Sequence, residues 1–274
     1  MIEVMFLGVG AALPMRNQTN AAYLVRIGSE CILVDCGPAI LQQLDAVGVS
    51  PGQITHVFFT HRHGDHTLGY PMLMLWRELR EAERLPPPIL IATALTFQAL
   101  DALMAATFGH VEGVTESAPR IVVPHDAPGV ARIHPGIQLR TWPMRHSDFA
   151  PSVGLRIETG APFERRVIAF TGDTMPNENV LLLAAQADLL VHEAAYSATL
   201  NPECAAGAHG HSTAQIAGRN AQAAAARRLA LTHIDAMYED KQAVLLEEAK
   251  REFSGAVFIP VEGLCVRLTD AEAA

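Results

Sequence analysis

The chain has 274 residues, half of them hydrophobic, with 20 Lys and Arg against 29 Asp and Glu and a formal net charge of −9. No run approaches the roughly 18 to 20 apolar residues that a membrane span needs, and no basic cluster offers the footprint of an extensive nucleic-acid partner. The length suits one domain, 1–274, with a sizeable core. The four cysteines, Cys31, Cys36, Cys204 and Cys265, contain no Cys-x-x-Cys pair, so each reads as a small buried hydrophobe in a reducing cytoplasm.

The opening Met1-Ile2-Glu3-Val4-Met5-Phe6-Leu7-Gly8 has no basic region before its apolar stretch, which makes a poor signal peptide and a good first strand. Strands are expected at Glu3 to Leu7, Ala22 to Ile27 and Cys31 to Val34, and Asp35-Cys36-Gly37-Pro38 leads into a helix near Ala39 to Ala46. A strand at Ile54 to Phe59 precedes a histidine-rich loop. A helix through Gly69 to Glu83 follows, with Met72, Leu75, Trp76 and Leu79 at helical spacing and Pro86-Pro87-Pro88 ending it. Ile89 to Ala92 is a strand and Thr96 to Phe108 a helix, after which strands dominate from Ile121 through Phe170. Then come a strand at Ala187 to His192, an Ala-rich helix capped by Ser212 and running to about Arg228, a strand at Leu229 to Thr232, a helix at Asp240 to Phe253 and a strand at Val257 to Pro260. This α/β alternation suits two packed sheets covered by helices on both outer faces.

The loop His61-Arg62-His63-Gly64-Asp65-His66 is the densest chemical signal, with three imidazoles and a carboxylate within six positions. Such donors suit zinc and its neighbours, and two cations can be held if other segments complete the shells. The apolar run before the loop delivers it, Gly64 is expected to permit a tight turn, and a helix starts near Asp65 or His66. Other strand ends supply His146, Asp173 and His233. Singly each is a weak signal, but with the loop they make five histidines and two carboxylates.

On these residues the chain resembles the metallo-β-lactamase superfamily, and the resemblance runs from Phe6-Leu7-Gly8-Val9-Gly10 to His233. It implies a four-layer αββα sandwich. It also implies one metal held by His61, His63 and His146, a second by Asp65, His66 and His233, Asp173 bridging both, and Asp35 supporting the histidine loop. His192-Glu193-Ala194-Ala195 and His211-Ser212-Thr213 resemble the paired signatures of the ribonuclease Z-like branch. Carried over, His211 faces the scissile phosphodiester and Glu193 orients it, while His192 only completes a strand.

The implied activity is that of a binuclear metallohydrolase, a phosphodiesterase in which a metal-bridging hydroxide attacks, Asp65 orients it and His211 protonates the leaving alkoxide. The substrate is expected to be small or cyclic. Only about two dozen residues separate His146 from Asp173, where tRNA 3′-processing relatives carry a long tRNA-gripping insertion. A nucleic-acid partner therefore stays open without being favoured. Asp173 also stands where zinc β-lactamases place a cysteine, which argues against antibiotic hydrolysis. The alternative on the same scaffold is an arylsulfatase or an ester or lactone hydrolase with Phe149, Trp76 and Met15 lining an apolar pocket. Further alternatives are a tRNA 3′-processing endoribonuclease and a non-catalytic metal-binding sensor. Zinc is the default metal, with manganese or iron also compatible. Relatives often dimerise, and the helix after Gly69 is the expected contact. Arg16 and Asn20 are candidate substrate contacts, and His56, His110, His125, His134 and His209 have structural explanations.

Overall fold

Strands that are apolar on both faces must be covered on both, and that requirement sets the architecture. The computed structural model describes residues 1–80, 86–109 and 118–268. Its first sheet contains β1 (Ile2–Gly8), β2 (Ala22–Ile27), β3 (Glu30–Val34), β4 (His56–Phe58), β5 (Ile89–Thr93), β6 (Arg120–Val123) and β14 (Cys265–Arg267), in the order β14-β1-β2-β3-β4-β5-β6. The second contains β7 (Gly129–His134), β8 (Ile137–Met144), β9 (Ser152–Thr159), β10 (Val167–Phe170), β11 (Leu189–Glu193), β12 (Arg228–Thr232) and β13 (Ala256–Phe258), in the order β13-β12-β11-β10-β9-β8-β7.

Helices α1 (Ile40–Ala46), α2 (Gly64–Thr67), α3 (Tyr70–Leu79) and α4 (Ala94–Phe108) go with the first sheet, and α5 (Asn179–Ala184), α6 (Ala214–Ala223) and α7 (Gln242–Glu252) with the second. Between the sheets lie Val4, Phe6, Ile32, Val34 and Phe58 against Leu155, Ile157, Ile168, Phe170 and Val191. The outer face of the first sheet, with Leu33 and Val57, packs on Ile40, Leu44, Leu73 and Leu100. That of the second, with Ala169, Leu190 and Leu231, packs on Leu183, Ala217 and Leu245. The result is an αββα sandwich, as the sequence led us to expect.

Within each sheet four adjacent strands run parallel out to one edge: β3 to β6 in the first, β10 to β13 in the second. Their carboxyl ends meet at one edge, which is where an open α/β sheet presents loops to a ligand. The sheets are tied there by Tyr23, whose hydroxyl donates to Thr232 Oγ1 at 2.8 Å, and by Val153 N–H donating to the Thr60 carbonyl at 3.0 Å.

Several boundaries differ from the sequence reading. The strand expected at 54–59 is only His56–Phe58, because Ser50 and Gln53 form a capping box on a short 3-10 turn just before it. The cap of α6 is Thr213, whose Oγ1 accepts from Ile216 N–H; Ser212 instead donates to the Thr174 carbonyl at 2.6 Å. That helix ends at Ala223, since Ala225 turns back with positive φ. The helix expected through Glu83 ends at Leu79, and residues 81–85 lie outside the described residues, as does His110. Cys31, Cys36 and Cys204 are buried and free, while Cys265 is half-buried at the edge strand β14. Helix α5 and strand β14 were not anticipated.

Candidate metal centre

β4 brings the histidine loop to the edge where the sheets meet. The loop packs on the β3–α1 turn through two reciprocal bonds, Cys36 N–H to the His66 carbonyl (2.8 Å) and Gly69 N–H to the Cys36 carbonyl (3.0 Å). This approach depends on Gly37 and Gly69: a Cβ on Gly37 would lie 2.4 Å from the Asp65 carbonyl, and one on Gly69 would lie 2.1 Å from the Gly37 carbonyl. Gly64, expected to allow a tight turn, simply opens α2 and has no positive φ, so the close packing comes from its neighbours. Asp35 and His233 do sit in the left-handed region, with φ of 63° and 54°. Such conformations cost about 1–3 kcal/mol each and turn the chain sharply at the ends of β3 and β12.

The second sheet supplies its groups one strand at a time. His146 follows β8, Asp173 follows β10 after Gly172, Glu193 ends β11 and His233 follows β12. The His233 N–H donates to the Val9 carbonyl at 2.7 Å, which docks this strand end on the first sheet.

All seven residues expected to hold metal come together, in two sets: His61, His63, His146 and Asp173, and Asp65, His66, His233 and Asp173. In the first, His61 Nε2 and His146 Nε2 lie 3.0 and 3.1 Å from His63 Nδ1, and 3.6 and 3.9 Å from Asp173 Oδ2. In the second, His66 Nε2 and His233 Nε2 lie 3.2 and 3.4 Å from Asp65 Oδ2, and 3.5 and 3.4 Å from the same Asp173 oxygen. A tetrahedral cation with bonds near 2.0–2.1 Å has ligand–ligand edges of about 3.4 Å, so the spacing fits.

The outer nitrogens explain why the inner ones converge. Asp35 accepts from Thr60 N–H (2.8 Å) and Thr60 Oγ1 (2.9 Å), and its Oδ2 lies 2.8 Å from His66 Nδ1. Thr60 Oγ1 lies 3.0 Å from His61 Nδ1, and the Gly210 carbonyl 2.9 Å from His146 Nδ1. With each Nδ1–H donated outward, the Nε2 lone pairs of His61, His66 and His146 point inward. Among the described residues, buried His66 Nε2 makes no well-formed hydrogen bond, although Asp65 Oδ2 lies 3.2 Å away, as expected of a nitrogen meant for a cation.

Electrostatics agree. Burial pushes the His61 and His63 imidazoles below their ordinary range and so keeps them neutral. Burial opposes ionisation of Asp65 and Asp173, but the facing imidazoles, His66 first for Asp65 and His233 first for Asp173, hold both carboxyls below the usual range. His66 is also disfavoured as a cation by burial, yet Asp173, Asp35 and Asp65 raise it well above an ordinary histidine. The pocket's field calls for positive charge. The donor set is that of a divalent-metal site.

His211 lies beside this centre, its ring 4.9 Å from that of His146 and 5.2 Å from that of His233, centroid to centroid. Its Nδ1 meets Glu193 Oε1 at 3.0 Å. Burial would lower its pKa, but the Glu193 carboxylate outweighs that and raises it to about 9. Glu193 is itself fixed by Thr174 N–H (2.8 Å) and Ala195 N–H (3.2 Å). His192 is buried behind it against Asn220 and remains structural.

Other candidates fall elsewhere. Asn20 is buried, and its amide donates to the Ala11 and Ala12 carbonyls, so it braces its own loop. Arg16 is exposed, with its backbone N–H on Glu239. Met15 is core, Trp76 lines a separate cleft with Asp45 and Arg80, and Phe149 is exposed in the loop after His146, against Arg62. His209 is exposed, its ring 6.0 Å from that of Tyr196.

Three supporting residues escaped the sequence reading. Thr60 was readable as a hydroxyl immediately before the first ligand. Gly210 was seen as loop glycine, but its carbonyl holds His146, and a Cβ there would lie 2.5 Å from the His146 carbonyl. Glu248, in the buried i, i+3, i+4 stripe Leu245–Glu248–Ala249 of α7, accepts from Ser197 Oγ (2.5 Å), Ala198 N–H (3.0 Å) and Thr199 N–H (2.8 Å).

Known proteins share both sequence and fold. The family described as Anti-Pycsar protein Apyc1 matches residues 2–214. The ribonuclease Z of Bacillus licheniformis is 31% identical over 297 residues, covering 93% of this chain and 96% of that protein. The ribonuclease Z of Methanothermobacter thermautotrophicus is 29% identical over 301 residues, 92% of each. Among solved structures, human tRNase Z, short form, superposes with a TM-score of 0.77 at 24% identity, covering 97% of this chain and 99% of that one. The metallo-β-lactamase fold protein YhfI from Bacillus subtilis gives 0.76 at 23%, covering 97% and 98%.

Proposed function

The chain belongs to the Anti-Pycsar protein Apyc1 family and to the ribonuclease Z-like, metal-dependent hydrolases of metallo-β-lactamase fold, and on that premise we propose that it hydrolyses a small or cyclic phosphodiester. The observation that carries this is the His211–Glu193 pair at 3.0 Å beside the rings of His146 and His233. A hydrolase of neutral esters has less need of a cationic histidine held by a buried carboxylate, whereas a phosphodiester presents both a nonbridging anion and a poor alkoxide leaving group.

His61, His63 and His146 would hold one divalent cation, Asp65, His66 and His233 a second, and Asp173 both. Zinc is the metal this imidazole and carboxylate mix suits best. Such ions, when bound, supply Lewis acidity and a water of lowered pKa. Asp65, kept ionised by its imidazole neighbours, orients the attacking water. His211 stays protonated, with Glu193 as its counter-charge, and gives its Nε2 proton to the leaving oxygen. Asp35 and Thr60 act one step back, fixing His61 and His66.

The ribonuclease Z relatives, matched over nearly their whole length, support a second reading in which the diester is at the 3′ end of a tRNA precursor. Metal analysis with a panel of cyclic nucleotides, a simple diester, an aryl sulfate, a lactone and a tRNA precursor tests both. Two cations per chain with turnover of small diesters supports the first reading. Cleavage of the precursor alone supports the second, and turnover of the sulfate or lactone alone overturns both.

A further inference from the structure

Asp65, His66 and His233 belong to the second metal set alone, and Asn20 lies where the supports of all three meet. His233 is held in the left-handed region (φ 54°), a conformation that persists only where neighbours fix the backbone. The segment that fixes it is 9–11: His233 N–H donates to the Val9 carbonyl (2.7 Å), and Ala11 N–H donates to the Ile234 carbonyl (3.3 Å). Asn20 holds that segment in turn. Its side-chain amide donates to the Ala11 (2.8 Å) and Ala12 (3.1 Å) carbonyls. The residues on either side of it bond Gly10, the Thr19 carbonyl accepting at 2.8 Å and Ala21 N–H donating at 3.0 Å.

Asn20 also packs against Gly37. A Cβ on that glycine would lie 3.0 Å from Asn20 Cβ and 2.4 Å from the Asp65 carbonyl. Cys36, one residue earlier, donates its N–H to the His66 carbonyl (2.8 Å). Gln43 Nε2 donates to the Asn20 carbonyl at 3.0 Å, which anchors the residue to α1, and Asn20 is only 5% exposed. In the first set His61 and His146 are held by other groups, Thr60 Oγ1 and the Gly210 carbonyl.

We propose that Asn20 is a positioning residue for the second cation, setting His233 against Asp65 and His66. This rests on the two-metal reading of the centre. The sequence suggested a substrate contact, but both amide hydrogens of this buried side chain are committed to carbonyls. The separation at stake is the 3.4 Å between His233 Nε2 and Asp65 Oδ2. With segment 9–12 loosened, His233 is free to leave its left-handed turn, and the second set opens while the first keeps its own three histidines.

Stepwise titration of the metal-free protein with cobalt(II), followed by its visible absorption, reads the two sets. Asp65→Ala, which removes a donor of the second set only, identifies that set's phase. Asn20→Ala should weaken the same phase about 10–100-fold and leave the other unchanged. Asn20→Ser keeps one short donor, should weaken that phase less, and decides the question if Asn20→Ala does not fold. Ile2→Val, which trims a buried side chain at the far end of β1, should lower the denaturation midpoint and move neither phase. An unchanged second phase in the Asn20 variants, or equal weakening of both phases, overturns the assignment. If the unsubstituted protein binds fewer than two cobalt ions, the two-metal reading has failed and the proposal with it. That outcome is distinct from two phases that do not depend on Asn20.

Discussion

The two sheets supply the metal centre in opposite ways. The first spends one loop: His61, His63, Asp65 and His66 leave the end of β4 within six positions, and Asp35, one strand over, holds the loop in place. The second spreads its contribution over four strand ends, with His146 after β8, Asp173 after β10, Glu193 closing β11 and His233 after β12. The loop carries local density, whereas the spread groups carry the geometry, because only a folded sheet fixes distances between residues so far apart in the chain. The second sheet should therefore decide how the two metal sets are joined and where the proton comes from, and the first how firmly each metal is held.

Asp173 is the sharpest place to break that division, since one of its oxygens faces His61, His146, His66 and His233 together. Asp173→Asn should reduce metal content below two ions per chain. It should lower turnover of a simple diester by more than the ~10²–10³-fold expected for losing a single electrostatic stabiliser. Metal analysis beside the rate decides it, and two tightly held ions in the variant would show that the remaining histidines and Asp65 hold both metals without Asp173.

His211→Ala comes next, with a loss of ~10²–10⁴ in kcat while both metals stay, because His211 is in neither set built on Asp173. Its pH dependence has a definite sign. The useful form is protonated, so its contribution is present at low pH and disappears as pH rises through a pKa raised to about 9. Bound cations beside it pull that alkaline limb lower. Glu193→Gln removes the carboxylate charge that does the raising, and should move the limb lower still. A limb that stays put in Glu193→Gln would assign it to some other group.

The same contrast explains what could be read from sequence. The loop was legible because its spacing alone brings the donors together, and the parallel strands were legible as apolar runs ended by polar turns. His146, Asp173 and His233 are single residues at strand ends, a placement shared with many inert histidines and aspartates. His56, the buried first residue of β4 at the far end of that strand, is one such. Their sum with the loop made them candidates, and the family resemblance gave each its place. The roles of Thr60 and Gly210 were missed for a different reason: position marks Thr60 only as a hydroxyl beside a ligand and Gly210 only as loop glycine, while the hydroxyl and the carbonyl orient imidazoles through contacts that spacing does not encode. Gly64 was misread because a glycine inside a motif suggests a turn, while the steric need lies at Gly37 and Gly69, where two loops touch backbone to backbone. The cap of α6 slipped by one residue because Ser212 and Thr213 are both good caps, and the Thr174 carbonyl claims the serine.

Asp35→Asn tests the first sheet's side. The amide keeps the shape but loses the charge that accepts from Thr60 and holds His66, so metal affinity should fall about 10–100-fold, read by competition with a chromogenic chelator. Turnover at saturating metal should recover most of its value, which Asp173→Asn cannot do at any metal concentration.

The smallest effect separates the two sheets most cleanly. Glu248 holds the segment from Ser197 to Thr199, at the base of the loop that runs from Glu193 to His211 and contains no group from either Asp173-centred set. Glu248→Gln replaces a carboxylate that accepts three hydrogen bonds with an amide that has one acceptor oxygen. At least one backbone N–H or the Ser197 hydroxyl is then left poorly satisfied, at a cost of about 1–3 kcal/mol, visible as a lower denaturation midpoint. If the division between sheets is right, the loosened loop lets His211 drift from its partner, and kcat falls a few-fold while metal content and metal affinity hold. A parallel fall in metal affinity would mean that the loop braces His146 through Gly210 strongly enough to couple the two functions, because that carbonyl bonds directly to a metal-facing histidine.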